Sequence, residues 1–327
     1  MIASALNDPE HDIIDFLWHG GEPTILPISY YEKAMMVQSR FQRPGQIVMN
    51  SIQTNGTGIT DSWAIFLRKN HFLVGISLDG PPEIHDNYRL YASGIPSSKD
   101  IYNSIRLLQE YKVPFSVLMV MDEGSLQVGP DRIFEFFLEM KIKRYGFLAA
   151  TPINQPEAKP GTPTNHYVNP KRMNDFLIKF YDCWKAYGDP EIKVREFEAI
   201  FQRINNQKSL SCTLQGNCFG RYYIVEPNGD VAHCELFQGD SRYTVGNLLE
   251  DDFKSFRESD RMQQLTDHNQ IELEGMKSCP EFSTCNGWCP HERYLAVRHD
   301  SSYNKTCCGL YDLISHIRNH MPRFVLD

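Results

Sequence analysis

The sequence predicts an α/β protein built on a parallel sheet, followed by a cysteine-rich C-terminal segment. Two observations carry this expectation. Between residues 15 and 149, short apolar runs alternate with amphipathic runs, the pattern of successive βα units. Eight of the nine cysteines then fall between Cys212 and Cys308, a clustering that suits thiolate ligands of a soft metal or an iron–sulfur cluster.

Taken in order, the apolar runs predict strands over 15–19, 47–52, 72–78, 115–121 and 145–149. The amphipathic runs predict helices over 29–41, 61–69, 101–111 and 131–140. The first three strands are followed by Gly20-Gly21-Glu22-Pro23, Gln53-Thr54-Asn55-Gly56 and Asp79-Gly80-Pro81-Pro82. Ligands of parallel α/β folds bind where such turns emerge, at the C-terminal ends of the strands. Gly20 and Gly21 let backbone approach a ligand closely. Glu22 is placed to accept from an ammonium, and Gln53, Asn55 and Ser77 to hold carboxylate or hydroxyl groups. Three polar turns on successive strands therefore predict a binding rim.

With 327 residues and 41% hydrophobic content, the chain can build a large core or two domains. A net charge of −8 argues against nucleic acid or an acidic membrane as partner. No apolar run has the length of a membrane span. The first residues carry neither the basic nor the apolar region of a secretory signal, so a cytoplasmic location with reduced thiols is expected.

Residues 151–170 hold five prolines without periodicity, which marks a boundary or a lid. Helices are expected over 173–187 and 195–205. Cys183, alone on the first of these, reads as structural. Residues 221–234 form two short strands around Pro227-Asn228-Gly229-Asp230, a hairpin that delivers Cys234. Residues 248–262 read as a surface-facing helix. The remaining thiols follow as Cys279-x5-Cys285-x3-Cys289 and the pair Cys307-Cys308. Structural zinc sites favour paired short spacings, which these gaps are not.

With these residues in hand, the chain resembles the radical S-adenosylmethionine (SAM) enzymes that carry a SPASM extension, and among them the anaerobic sulfatase-maturating enzymes. The segments that carry the resemblance are Phe16-Leu-Trp-His-Gly-Gly-Glu-Pro-Thr24, Gln53-Thr-Asn-Gly56, Val74-Gly-Ile-Ser-Leu-Asp-Gly-Pro81, His85-Asp-Asn-Tyr-Arg89, the Gly229-x4-Cys234 spacing and the Cys279/Cys285/Cys289/Cys307 spacing. The resemblance implies a partial (β/α)6 TIM-like barrel over residues 1–150, a linker and completing helices over 151–210, and an auxiliary-cluster domain over 211–327. It implies that His19, Gly20, Gly21, Glu22, Gln53, Asn55 and Ser77 line the SAM site, with Asp79 and Arg89 in outer support. It further implies an auxiliary [4Fe–4S] cluster on Cys212, Cys218, Cys234 and Cys289. A second cluster would use Cys279, Cys285 and Cys307. Its remaining family position is Met276, whose thioether is a poor substitute for a thiolate, and Cys308 is the available replacement. Glu235, directly after the hairpin cysteine, matches the acidic base that helps oxidise a substrate Cys or Ser to formylglycine. The family more usually has Asp there.

The resemblance also implies a Cys-x3-Cys-x2-Cys loop after the first barrel strand, to hold the cluster that cleaves SAM. No cysteine precedes Cys183, so the chain as written is expected to lack the first βα unit and to be inactive as given. The implied partners are a sulfatase-like polypeptide and an electron donor such as ferredoxin or flavodoxin. A maturase that crosslinks ribosomal peptide precursors shares all these motifs. A shortened, non-catalytic iron–sulfur or peptide-binding relative is the third reading.

Overall fold

The structure, a computed structural model, describes residues 1–151, 167–209 and 211–322. Most of the proline-rich stretch, residues 152–166, lies outside the described residues. Six strands hydrogen-bond in chain order: β1 (Ile13–Trp18), β2 (Ile47–Thr54), β3 (Leu73–Ser77), β4 (Phe115–Met121), β5 (Arg144–Ala149) and β6 (Lys193–Val194). β1 through β4 pair in parallel, with Trp18 opposite Ile52, Gln53 opposite Gly75 and Ser77 opposite Leu118. This register brings the C-terminal ends of β1, β2 and β3 side by side. Because side chains alternate along a strand, Phe16, Ile52, Val74 and Ile76 are buried on one face. Gln53, Gly75 and Ser77 belong to the other.

The chain forms two compact units, residues 1–120 with 135–148, and residues 121–134 with 149–327. In the first, helix Asp61–Lys69 buries the large apolar residues Trp63, Phe66 and Leu67, and helix Ser98–Glu110 buries Ile101, Ile105 and Leu108. The i, i+3/i+4 spacing of each set makes one apolar stripe. Helix Ile28–Phe41 buries Tyr31, whose ring meets Trp63 edge-on at 5.4 Å. Its hydroxyl donates to the Pro23 carbonyl at 2.7 Å, which fastens the loop after β1 to the helix behind it. Burial pushes the Tyr31 hydroxyl up to about 12, so it stays a donor.

In the second unit, helix Pro170–Tyr187 starts on the Asn169 side chain, which accepts from Arg172 N at 3.0 Å. It stops at Gly188, where φ is 76°. Pro at the first position and a left-handed Gly just past the end are the expected punctuation. Phe180, Tyr181 and Trp184 pack on Phe197 of helix Arg195–Ile204. A three-stranded antiparallel sheet follows, in the order β7 (Tyr223–Val225), β8 (Asp230–His233) and β9 (Thr244–Asn247).

The hairpin is where the sequence puts it. The surface-facing helix over 248–262 is corrected. That stretch holds the short helix Phe253–Glu258 and the start of a second, Asp260–Met276. They break at Ser259, whose hydroxyl accepts from Met262 N at 3.1 Å and so caps the second helix. Phe253 and Phe256 are buried, with Phe253 stacked edge-on against Tyr223 at 5.4 Å. β6 and β9 have two and four residues, too few for alternation to register. Among the described residues no helix is long and apolar enough to cross a membrane.

Candidate cofactor rim and cysteine sites

The rim in the first unit is organised by Glu22. Its Oε1 accepts from Thr24 N at 2.9 Å, Thr24 Oγ1 at 2.6 Å and Thr54 Oγ1 at 2.6 Å, and its Oε2 accepts from Asn55 N at 2.8 Å. One carboxylate thus ties the loop after β1 to the end of β2. Oε2 keeps a lone pair beyond its single bond. Asn55 Oδ1 accepts from Thr57 N at 2.9 Å and Thr57 Oγ1 at 2.8 Å, holding the second turn closed. His19 is exposed, and its Nδ1 lies 3.1 Å from the Gly20 carbonyl.

A Cβ built on Gly20 or on Gly21 would meet nothing within 4 Å. At Gly20 the φ of 73° accounts for the glycine. Gly21 is required by neither its φ nor a neighbour, which leaves open space along its backbone of the kind a ligand fills. At Gly75 the reverse holds, since a Cβ there would collide with Gln53 Oε1. The missing side chain lets Gln53 lie across β3 and donate to Ser77 Oγ at 3.1 Å.

Asp79 and Arg89 come together as an ion pair, with Arg89 Nη2 donating to Oδ1 at 3.2 Å. Asp79 Oδ1 also accepts from Val120 N at 2.8 Å, so the pair links the turn after β3 to the end of β4. Behind it, Asp79 N donates to His85 Nδ1 at 3.1 Å, and His85 Nε2 lies 3.1 Å from Ser97 Oγ. Ser97 Oγ in turn donates to the Arg89 carbonyl at 2.6 Å. With both imidazole nitrogens engaged this way, His85 is neutral with its proton on Nε2. Burial holds its pKa below the ordinary value.

In the second unit the cysteines fall into two sets. Cys212 opens the turn Cys212–Leu214, Cys234 follows β8 at a φ of 61°, and Cys289 precedes helix Pro290–His299. Cys212 and Cys218 act electrostatically on Cys234 and on Cys289. Burial pushes Cys218 up to about 11, with Cys212 adding, and Cys234 up to about 12, with Glu235, Cys218 and Cys212 adding. Crowded, desolvated thiols resist becoming thiolates unless a cation replaces their protons. Arg195 offsets part of the charge at Cys212, and Arg293 and Arg221 part of that at Cys218.

The second set is Cys279, Cys285, Cys307 and Cys308. The Cys308 thiol lies near those of Cys285 and Cys307, and the Cys279 thiol near that of Cys307. The neighbouring Cys308 thiol, ahead of any other influence, pushes Cys307 down to about 5.

Whether these residues suit an iron–sulfur group can be judged from the polar atoms left over. His233 is fully buried, with its Nε2 3.6 Å from Cys218 Sγ. The buried Tyr303 hydroxyl, which feels the charge of Cys308 and Cys307, has no hydrogen-bond partner among the described residues. That hydroxyl is an orphaned donor beside the second thiol set, where cluster sulfide would supply an acceptor. Among the described residues no three His, Cys, Asp or Glu side chains converge on one point as a single ion demands. Four irons with a thiolate at each corner ask for the wider spread. The residues fit.

Glu235, in the turn Glu235–Phe237 after Cys234, is exposed. It lies near enough to Cys212 and Cys234 to raise the pKa of both thiols. Cys183 stands apart from both sets and donates to Asp131 Oδ1 at 2.9 Å. Burial, then that carboxylate, pushes it up to about 12.

Arg293 has no sequence context that singles it out. It is 1% exposed and donates to the carbonyls of Gly287 at 2.7 Å and Trp288 at 3.2 Å, and to Glu272 Oε2 at 3.0 Å. It thereby holds the left-handed run Asn286-Gly287-Trp288, with φ values of 49°, 79° and 61°, that separates Cys285 of one set from Cys289 of the other. Thr54 and Tyr31 escape sequence reasoning for a different reason. Both are ordinary residues of a strand and a helix, although Thr54 sits inside the turn from Gln53 to Gly56.

Comparison with known proteins agrees with this geometry. Residues 3–126 match the radical SAM superfamily, and residues 217–286 match the SPASM iron–sulfur cluster-binding domain. A serine-type anaerobic sulfatase-maturating enzyme of Bacteroides thetaiotaomicron is 30% identical over 94% of this chain and 76% of its own length. A cysteine-type anaerobic sulfatase-maturating enzyme of Clostridium novyi is 31% identical over 94% of this chain and 81% of its own. Among solved structures, native anSMEcpe with bound AdoMet and the Cp18Cys peptide superposes with a TM-score of 0.86. It is 26% identical, over 100% of this chain and 89% of that one.

Proposed function

Because the chain belongs to the radical SAM–SPASM family of anaerobic sulfatase-maturating enzymes, we propose that it oxidises a Cys or Ser of a sulfatase-like polypeptide to formylglycine in the cytoplasm. The observation that carries this reading is Glu235, a carboxylate placed against Cys212 and Cys234 of a complete four-thiol set. The oxidation removes two hydrogens from the side chain of the target residue, which gives formylglycine directly from Ser and, from Cys, a thioaldehyde that water converts to formylglycine with release of hydrogen sulfide. SAM with a four-iron cluster would supply the radical chemistry that removes the Cβ hydrogen. The rim residues would hold the SAM, no cysteine before Cys183 is present to hold that cluster, and auxiliary clusters on the two thiol sets would take up the remaining electron. Glu235 accepts the proton from the substrate thiol or hydroxyl.

The other residues bind and orient. Gly20 and Gly21 leave room for SAM along the first turn, with Glu22 Oε2 as an acceptor for its ammonium and His19 at the exposed edge. Gln53, Ser77 and Asn55 offer hydrogen bonds to its carboxylate and ribose. Asp79 and Arg89 fix the third turn. Cys212, Cys218, Cys234 and Cys289 hold one auxiliary cluster, and Cys279, Cys285, Cys307 and Cys308 are the thiols available for a second. Ferredoxin or flavodoxin is the proposed source of electrons.

The test is anaerobic incubation of the iron-loaded protein, joined to a segment that carries a Cys-x3-Cys-x2-Cys loop, with SAM, a reductant and a sulfatase-type peptide carrying Cys or Ser. Mass spectrometry showing formylglycine at that position supports the reading, and a crosslinked or unmodified peptide overturns it. The crosslinking alternative has no observation of its own in its favour, and the non-catalytic alternative has one, that no cysteine precedes Cys183.

A further inference from the structure

We propose that Cys308 supplies the fourth thiolate of the second auxiliary site, so that this site is closed by the adjacent pair Cys307-Cys308 and Met276 takes no part in it. The inference rests on the iron–sulfur reading of the cysteine segment and not on the identity of the substrate.

Cys308 is the neighbour common to Cys285 and Cys307, and Cys307 is the neighbour of Cys279, so the four thiols form one connected group. It is 2% exposed, as a ligand on the inner side of a cluster would be. Backbone N–H groups point at three of the sulfurs. Leu310 N donates to Cys308 Sγ at 3.4 Å, Gly309 N to Cys307 Sγ at 3.5 Å and Gly287 N to Cys285 Sγ at 3.3 Å. Donors of this kind stabilise a thiolate and tune the cluster it holds.

A cavity of ≈ 480 Å³ opens against Cys279 and Cys307. Two buried atoms among the residues that line it have no hydrogen-bond partner among the described residues, the Tyr303 hydroxyl and Asn174 Oδ1. Cys279 and Cys307 thus face the open side, while Cys285 and Cys308 are buried.

Met276 has a different employment. It ends helix Asp260–Met276, where it and Leu273 are buried as core side chains. Its carbonyl accepts from Cys279 N at 3.0 Å, so the residue shapes the turn that presents Cys279. A thioether in that place costs the site nothing if a second thiolate arrives from the other side, and Cys308 does so.

The experiment compares anaerobically reconstituted protein with Cys308→Ala, Met276→Ala and the double variant Met276→Cys/Cys308→Ala. Iron and sulfide per chain and the EPR spectra of oxidised and reduced protein are the readouts. The expected result is that Cys308→Ala loses about four irons or shows the EPR signal of a three-iron cluster on oxidation. Met276→Ala is expected to keep the iron and spectra of the unsubstituted protein, and the double variant to regain part of what Cys308→Ala lost. Should Cys308→Ala not fold, Cys308→Ser keeps the volume, and an altered EPR spectrum in that variant supports the proposal equally. Undiminished iron with unchanged spectra in the Cys308 variants overturns the proposal. So does loss of a cluster in Met276→Ala, an unsubstituted protein with iron for a single auxiliary cluster, or zinc in place of iron. Formylglycine formation is read separately, so a peptide left unmodified while the iron results hold would reject the substrate class and leave this site standing.

Discussion

Glu22 illustrates how one residue can hold a site together before any ligand arrives. Its carboxylate accepts four hydrogen bonds from Thr24, Thr54 and Asn55, and bonds to a charged acceptor are each worth about 2 kcal/mol. Replacing it with Ala should therefore lower unfolding stability by about 2–4 kcal/mol, read as a reduced urea midpoint, and weaken SAM binding in calorimetry. A Glu22→Ala protein as stable as the parent would mean that the loops do not depend on this brace. Glu235 should behave in the opposite way. In protein joined to a segment that carries a Cys-x3-Cys-x2-Cys loop, Glu235→Gln should abolish formylglycine formation while leaving iron content and thermal midpoint unchanged, because the side chain is exposed. The position of Glu22 was legible in the sequence, from Gly-Gly-Glu-Pro after an apolar run. Its bonds were not, because Thr54 reaches it only through the pairing of β1 with β2.

At the scale of elements, the turns decide where ligands are presented. Gly229 closes the β7–β8 hairpin at a φ of 92°, and a Cβ there would come within 2.6 Å of Asn247 Oδ1. Gly229→Ala should cost about 1–2 kcal/mol in backbone strain alone, and more once Asn247 is displaced. Because that hairpin carries Cys234, the variant should also bind less iron at the first cysteine set, measured by iron assay beside a thermal melt. The loop from Asp79 to Ser97 makes a pH prediction. Burial keeps His85 neutral with its pKa below the ordinary 6.5. The unfolded chain therefore takes up the proton first as pH falls. Stability is full above about 6.5 and declines below it, toward the lower folded pKa. Urea midpoints measured from neutral to acidic pH should fall less steeply in His85→Gln than in the parent. Equal slopes would remove His85 from the linkage. The sequence announced the hairpin through Asn-Gly, and the helix over 248–262 misled because its apolar residues alternate between burial and a capped break at Ser259.

The molecule as a whole is two units whose functional residues are separately assembled. β1 ends the six-stranded sheet, and Ile13 and Leu17 on it are 61% and 52% exposed. A strand edge with exposed apolar side chains templates pairing with another chain. Concentration-dependent association is thus expected in size-exclusion chromatography with light scattering. Leu17→Lys should reduce it, and the same elution profile for both proteins would refute the edge as its cause.

By itself, the sequence determined the βα alternation, the three polar turns, the hairpin and the family, because each is written in local spacing that backbone geometry translates directly. The resemblance, and not the spacing, separated the two thiol sets, since Cys285 and Cys289 lie four residues apart yet fall in different sets. Only the tertiary structure decided what joins these pieces. It assigned Glu22 to Thr54, His85 to Asp79 and Ser97, Arg293 to the turn between Cys285 and Cys289, and Cys308 to Cys285. Glu22 meets Thr54 through strand pairing and Cys308 meets Cys285 through the packing of distant segments, while His85 and Arg293 each fold back on their own loop or nearby turn. No period in the chain encodes such a meeting.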